Sequence, residues 1–294
     1  MTLTADPALS AAATVHATLA WAVRQLAAHG DSPRLDAEIL LGHVIDRSRA
    51  WLLARPEAVV EPAAMQRFRH LVARRAQGEP VAYLTGGREF WSRRFRVTPA
   101  TLIPRPETEL LIELALERLP ADATRSLADL GTGSGAIALT LALERPACTV
   151  VATDISAAAL DVARDNARRL GATNVAFRCG DWCAALGGDR FDLIVSNPPY
   201  VAAGDPHLQQ GDLPHEPWPA LVSGISGLEA IERIVATAPA HLVHGGWLLL
   251  EHGFEQADAV AELLRCHGYA EIGHRADIGG HRRAVAARRA GCTP

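Results

Sequence analysis

Asp129-Leu130-Gly131-Thr132-Gly133-Ser134-Gly135 is the stretch that decides the fold. It follows Ser126–Leu130, a run short and apolar enough for a buried strand. It opens onto residues 136–143, an apolar run without glycine or proline that suits a helix. The glycines allow a tight turn and a close backbone approach to a ligand at a helix N-terminus. Gly131, Gly133 and Ala136 also satisfy the G-x-G-x-x-G/A dinucleotide spacing. The loop alone therefore leaves open a dinucleotide, another adenosine cofactor, or a plain strand–helix turn. Strand patterns recur at 149–153, 175–178, Phe191–Ser196 and 247–251, with weaker ones at 269–275 and 283–287. Helical runs lie between them, among them Ala157–Leu170 between Ser156, a cap, and Gly171, a stop. The alternation predicts an α/β fold with a mostly parallel, Rossmann-like sheet covered on both faces. Ligands then belong at the carboxyl ends of the strands, near the switch point.

Upstream the pattern changes. Residues 1–80 read as a small helical bundle with nearly balanced charge. Thr14 caps a first helix that ends at Gly30. Ser32-Pro33 opens a second, with Leu35, Ile39, Leu40 and Val44 as its buried stripe. A short helix follows near 49–54. Pro62 opens another, with Met65, Phe68, Leu71 and Val72 inward and a close at Gly78. Residues 81–104 mix aromatic and β-branched residues with Gly86, Gly87 and Pro99, which suggests a β-hairpin connector. Its Arg88, Arg93, Arg94 and Arg96 face only Glu89 locally, a solvated face or a contact for an anionic partner. Residues 105–294 form the α/β domain. Within it, 201–224 holds Pro206, Pro214, Pro217 and Pro219. A loop of that length in a compact domain reads as a lid or partner surface.

Composition narrows the chemistry. The chain has 294 residues and a net charge of -4, and all 29 of its basic residues are arginine. Without lysine, neither a Walker phosphate loop nor a Schiff-base site can be built in its usual form. Five cysteines with no CxxC suggest free thiols in a reducing cytosol. Residues 1–10 lack a basic n-region and no long apolar span appears, so a cytoplasmic protein with no membrane partner is expected. Mild acidity argues against nucleic-acid binding by bulk charge. His241, His244, His252 and His267 lack an HExxH-type spacing and read as scattered surface histidines; no metal site is expected.

Three further positions fall at strand ends. Asp154 can accept hydrogen bonds from the two ribose hydroxyls of an adenosine. Asp181-Trp182 offers an indole face to a base. Asn197-Pro198-Pro199-Tyr200 follows Phe191–Ser196 directly. The prolines restrain the backbone there, so the Asn197 side chain and the Pro198 carbonyl are held as two oxygen acceptors. A planar –NH2 group can give one hydrogen to each, which aims its nitrogen at an electrophile, and Tyr200 can pack on the planar group.

Asn-Pro-Pro-Tyr resembles the motif of S-adenosyl-L-methionine-dependent methyltransferases acting on amide or exocyclic amino nitrogens. Tyr83-Leu84-Thr85-Gly86, Glu89-Phe90, Phe95-Arg96-Val97 and the string from Leu102 to Glu109 (Leu-Ile-Pro-Arg-Pro-Glu-Thr-Glu) narrow the resemblance. So do Glu216-Pro217, Ala220-Leu221, Gly227-Leu228 and Asp277-Ile278-Gly279-Gly280. Together they are similar to the protein-glutamine methyltransferases of class I peptide chain release factors, from the helical region to the C-terminus. The chain departs from the pattern at Trp91-Ser92, Ser226 and His281, away from the chemistry.

The resemblance implies a seven-stranded methyltransferase domain preceded by a substrate-recognition bundle. It implies that Gly131, Thr132, Gly133, Ser134 and Gly135 line the methionine part of S-adenosyl-L-methionine, whose product is S-adenosyl-L-homocysteine. Asp154 would hold its ribose, Trp182 its adenine, and Asn197 would lie near its methyl. Asn197, Pro198, Pro199 and Tyr200 would bind the glutamine of a Gly-Gly-Gln motif, with Asn197 and Pro198 as the catalytic pair. The implied partner is a release factor, with no DNA, and a monomer is expected. The alternative is a nucleic-acid exocyclic-amino N-methyltransferase, which would share 197–200 but would also want a basic groove for a flipped base.

Overall fold

The structure is a computed structural model and describes residues 13–28 and 32–290. The helix stop expected at Gly30 lies outside the described residues. In chain order the elements are α1 (Val15–Leu26), α2 (Pro33–Ile45), α3 (Arg49–Ala54), α4 (Pro62–Arg75), α5 (Val81–Leu84), β1 (Gly87–Phe90), β2 (Arg93–Arg96), α6 (Glu109–Arg118), β3 (Ser126–Leu130) and α7 (Ala136–Glu144). They continue with β4 (Thr149–Asp154), α8 (Ala157–Leu170), β5 (Val175–Cys179), β6 (Phe191–Ser196), α9 (Trp218–Leu221), α10 (Glu229–Thr237), β7 (Leu242–Glu251), α11 (Ala257–Cys266), β8 (Tyr269–Ala276) and β9 (Arg282–Arg289). Two compact units emerge: the residues up to Gly86 together with His207–His215, and the rest of the chain.

In the helical unit, Thr14 accepts a hydrogen bond from Ala17 N and opens α1. Leu19, Trp21, Leu26, Leu40, Phe68 and Val72 make its core, with Trp21 and Phe68 edge to face at 6.1 Å. The expected stripe of α2 holds at Leu40, which is buried, and at Val44, which packs on the core, but not at Leu35. Leu35 is exposed, and the buried face carries Ala37, Leu40 and Leu41 together with Asp36 and Glu38. Those carboxylates tolerate burial because arginines meet them: Arg75 at 2.8 Å from Asp36, Arg34 at 2.5 Å and Arg49 at 2.8 Å from Glu38. Arg75 also reaches Asp212 at 2.6 Å, which ties the 207–215 excursion into this unit. The long proline-rich stretch is thus structured, with single 3-10 turns at Pro206–Gln209 and Leu213–His215.

The connector differs from expectation as well. Val81–Leu84 is a helical turn, because Pro80 starts it and its carbonyl accepts Leu84 N. The hairpin itself is β1–β2, antiparallel, with Phe90 opposite Arg93. Its two-residue turn is Trp91-Ser92, at φ +49 and +56. Such a turn needs left-handed backbone at both positions, which is why glycine is the favoured residue there. Two of the arginines here meet acids, Arg93 with Glu144 at 2.7 Å and Arg96 with Asp165 at 3.5 Å, while Arg88, Arg94 and Arg96 are exposed.

The second unit holds a seven-stranded sheet in the order β5-β4-β3-β6-β7-β9-β8. β5, β4, β3, β6 and β7 run parallel, and β9 pairs antiparallel with β7 and β8. The chain moves outward from β3 to β5, then crosses back to β6 on the other side of β3. The switch point therefore lies between the carboxyl ends of β3 and β6. α8 starts on Ser156, whose hydroxyl accepts Ala159 N, and ends on Gly171 at φ +76. Two apolar clusters sandwich the sheet, one including Leu127, Leu139 and Leu193, the other Ile194, Ile231 and Leu248.

Candidate active site

A cavity of about 660 Å³ opens at the switch point, within the range of small-molecule sites. Gly131, Thr132, Gly133 and Ser134 from the loop after β3 line it, with Asp154 from the end of β4. Asp181 and Trp182 after β5, and Asn197 and Pro199 after β6, line it too, as does Thr108. Gly135, Pro198 and Tyr200 are not among its lining residues. Gly135 stands at φ +85 where α7 starts, and a Cβ there would come within 2.9 Å of the Leu139 side chain. Pro198 is buried.

Two carboxylates shape the glycine loop. Asp129, buried in β3, accepts hydrogen bonds from the Thr132 hydroxyl at 2.6 Å and Ala138 N at 3.1 Å. Its other oxygen, Oδ1, has no hydrogen-bond partner. Burial pushes this carboxyl up to about 7, against the two hydrogen bonds. Asp154 accepts Gly133 N at 2.9 Å through Oδ2 and Ser156 N at 2.8 Å through Oδ1. Burial raises its pKa, and those backbone donors pull the other way. Each of its oxygens keeps a lone pair for a ligand hydroxyl. Gly131, at φ +71, lets the indole of Trp182 close over it: a Cβ would stand 3.0 Å from that ring. At Gly133, φ +54, a Cβ would meet nothing within 4 Å, so the loop leaves open space there.

The second loop is fixed from behind. Asn197 Nδ2 donates to Thr108 Oγ1 at 3.0 Å, which leaves Oδ1 to accept. The Tyr200 hydroxyl donates to Glu251 Oε1 at 3.1 Å. Gln256 Nε2 donates to the Tyr200 carbonyl at 3.0 Å, and a Cβ on Gly227 would lie 2.5 Å from that same oxygen. Gly227 is therefore required by close approach. Glu216, fully buried by its side chain, accepts Ile103 N at 2.9 Å and pairs with Arg105. It pins the string that carries Thr108.

Thr108, Glu251 and Asp129 are the residues that sequence reasoning left without a role. Thr108 sits inside a quoted string. Glu251 is an acid closing the apolar run Leu248-Leu249-Leu250, which is the one signal it gives. The histidine expectation fails at His252, which is fully buried and faces His274 at 3.3 Å. Burial pushes it down to about 4 and keeps it neutral. Among the described residues no group of three or more His, Cys, Asp or Glu side chains could hold a metal ion. No described helix is long and apolar enough to cross a membrane.

The chain is similar to known proteins over most of its length. The PrmC N-terminal domain family matches residues 17–86, and the methyltransferase small domain family matches 108–211. A release factor glutamine methyltransferase of Xylella fastidiosa is 53% identical, covering 87% of this chain and 93% of the relative. One from Escherichia coli K12 is 48% identical, covering 91% and 96%. Among solved structures, a methyltransferase from Pyrococcus furiosus superposes with TM-score 0.53 at 18% identity, covering 74% of this chain and 98% of that one. The Thermus thermophilus 16S rRNA N2 G1207 methyltransferase, solved with AdoMet and guanosine, gives 0.52 at 21% identity, covering 69% and 49%. At such identities these two structures speak to the fold alone.

Proposed function

The chain belongs to the release factor glutamine methyltransferase family, and from that premise we propose that it methylates the glutamine of the Gly-Gly-Gln motif in class I peptide chain release factors, modulating translation termination. The methyl goes to the side-chain amide nitrogen, N5. S-adenosyl-L-methionine, when bound, supplies a methyl made electrophilic by its sulfonium. The cavity fits such a group: a glycine loop with open space at Gly133, a carboxylate at Asp154 with lone pairs for ribose hydroxyls, and an indole at Trp182 for a base.

The observation that carries the reading is the state of Asn197. It lines the same cavity, and its amide –NH2 gives one hydrogen bond to Thr108. Its Oδ1 is left to accept one hydrogen of a substrate –NH2, and the Pro198 carbonyl in the same loop would take the other. An amide nitrogen is a poor nucleophile because its lone pair is delocalised into its carbonyl. The two acceptors orient the nitrogen for in-line attack and stabilise the positive charge that grows on it. No strong base is needed beforehand, since the N–H becomes acidic only as the nitrogen becomes cationic. Residues up to 80 serve as the substrate-recognition domain, 81–104 as connector and 105–294 as the catalytic domain, in a cytoplasmic monomer.

The test uses methyl-labelled cofactor with release factor, with a Gln→Ala variant of its Gly-Gly-Gln motif, with tRNA and with duplex DNA. Label on intact release factor alone is expected. Label on nucleic acid, or equal label on the Gln→Ala variant, contradicts the reading.

A further inference from the structure

An asparagine amide looks nearly the same either way round, yet only one sense can serve here. With Oδ1 toward the substrate, acceptor meets donor. Flipped, two –NH2 groups face each other. Something must set the sense, and the groups behind Asn197 can do so.

Ser196 pairs with Leu250 across β6 and β7, so Asn197 and Glu251 leave the sheet side by side. Thr108 and Glu251 are both buried, at 4% and 1% exposure. Thr108 Oγ1 accepts Asn197 Nδ2 at 3.0 Å, and the Tyr200 hydroxyl donates to Glu251 Oε1 at 3.1 Å. Glu251 Oε2 is buried without a hydrogen-bond partner, and the Thr108 side chain is close enough to the carboxyl to act on it. A carboxylate only accepts, and a threonine hydroxyl has one hydrogen. A Thr108 hydroxyl turned to Glu251 has nothing left to donate to Asn197, so it accepts the amide –NH2 and turns Oδ1 outward.

We propose that Thr108 and Glu251 are positioning residues for methyl transfer: through the Thr108 hydroxyl, the Glu251 carboxylate fixes the Asn197 amide with its oxygen toward the substrate nitrogen. The proposal deepens the functional reading above and rests on it. Burial pushes Glu251 up to about 7, with Thr108, Tyr200 and Arg283 opposing and Glu107 reinforcing the shift. Arg105 and Arg283 act on the neighbouring Tyr200, and the adjacent His252 is held neutral. The carboxylate form that sets the sense therefore prevails only above about 7.

The experiment measures kcat on release factor, and cofactor Kd by calorimetry, for wild type, Thr108→Val, Thr108→Ser and Glu251→Gln. Thr108→Val should lose about 10- to 100-fold in kcat, the scale of a misplaced reacting group, with cofactor Kd within about twofold. Thr108→Ser, which keeps the hydroxyl, should restore most of the rate. Glutamine can donate as well as accept, so Glu251→Gln should lose rate too. It should also lose the wild-type rise in kcat through about pH 7. A Thr108→Val enzyme with wild-type kcat overturns the proposal. Should that variant fail to fold, Glu251→Gln decides alone, and an unchanged rate and pH profile overturn it. A wild-type protein that leaves release factor unlabelled sinks the functional reading itself, a separate outcome from an active wild type beside an equally active Thr108→Val.

Discussion

The loops after β3 and β6 are neighbours at one sheet edge, joined by the Ser196 hydroxyl donating to the Leu130 carbonyl at 2.7 Å, yet they are built on opposite principles. The first owes its shape to Gly131, Gly133 and Gly135, all at positive φ, and what it offers a ligand is mainly backbone. The second has two prolines and no positive φ, and it brings the side-chain amide of Asn197 to the cavity. Each is backed by a buried acid pushed up to about 7, Asp129 under the first and Glu251 behind the second. The difference teaches a division of labour. A backbone cradle is suited to enclosing a cofactor of fixed shape. A side-chain clamp braced by hydroxyls is suited to aiming a weak nucleophile.

The largest effect should come from Asn197→Ala. Removing one preorganised charge stabiliser costs about 10²–10³ in turnover, roughly 3–4 kcal/mol. Single-turnover rates should show that loss while calorimetric cofactor affinity stays near wild type. Gly131→Ala should do the reverse. A Cβ at φ +71 is strained and would stand 3.0 Å from the Trp182 ring. Cofactor Kd should rise about tenfold, the equivalent of 1–2 kcal/mol of backbone strain, with the rate recovering at saturation.

The smallest effect is on stability. Asp129 has its folded pKa raised from 3.8 to about 7 by burial. The fold thus favours the protonated acid, so its contribution is largest below the unfolded value and declines as pH rises from there to about 7. Melting temperature should fall across that window. Asp129→Asn should flatten that slope in thermal melts. An unchanged slope would remove Asp129 from the account of the first loop.

Both loops were legible in the sequence, because each is local: glycines in a strand–helix turn, and four specific residues after an apolar strand. The sheet was legible for the same reason, as short apolar runs separated by helical ones. What could not be read depends on residues far apart in the chain. Leu35 of the expected α2 stripe is exposed while its neighbour Asp36 is buried against Arg75, 39 positions away. Arg93 and Arg96 of the hairpin looked unopposed because Glu144 and Asp165 arrive from α7 and α8. Neither the Leu102–Glu109 string around Thr108 nor the apolar run before Glu251 tells what those side chains meet, and only the pairing of β6 with β7 brings Glu251 to Asn197. Glu216 was legible as part of a familiar string, but its reason, pinning Ile103 and Arg105, is 113 and 111 positions distant.

The division of labour is tested most directly by measuring cofactor Kd and single-turnover methylation of release factor on Asn197→Ala and Gly131→Ala in one series. The account predicts a crossing: Asn197→Ala binds cofactor normally and transfers slowly, while Gly131→Ala binds it weakly and transfers at near wild-type rate once saturated. The same loss of affinity and rate in both variants would contradict it.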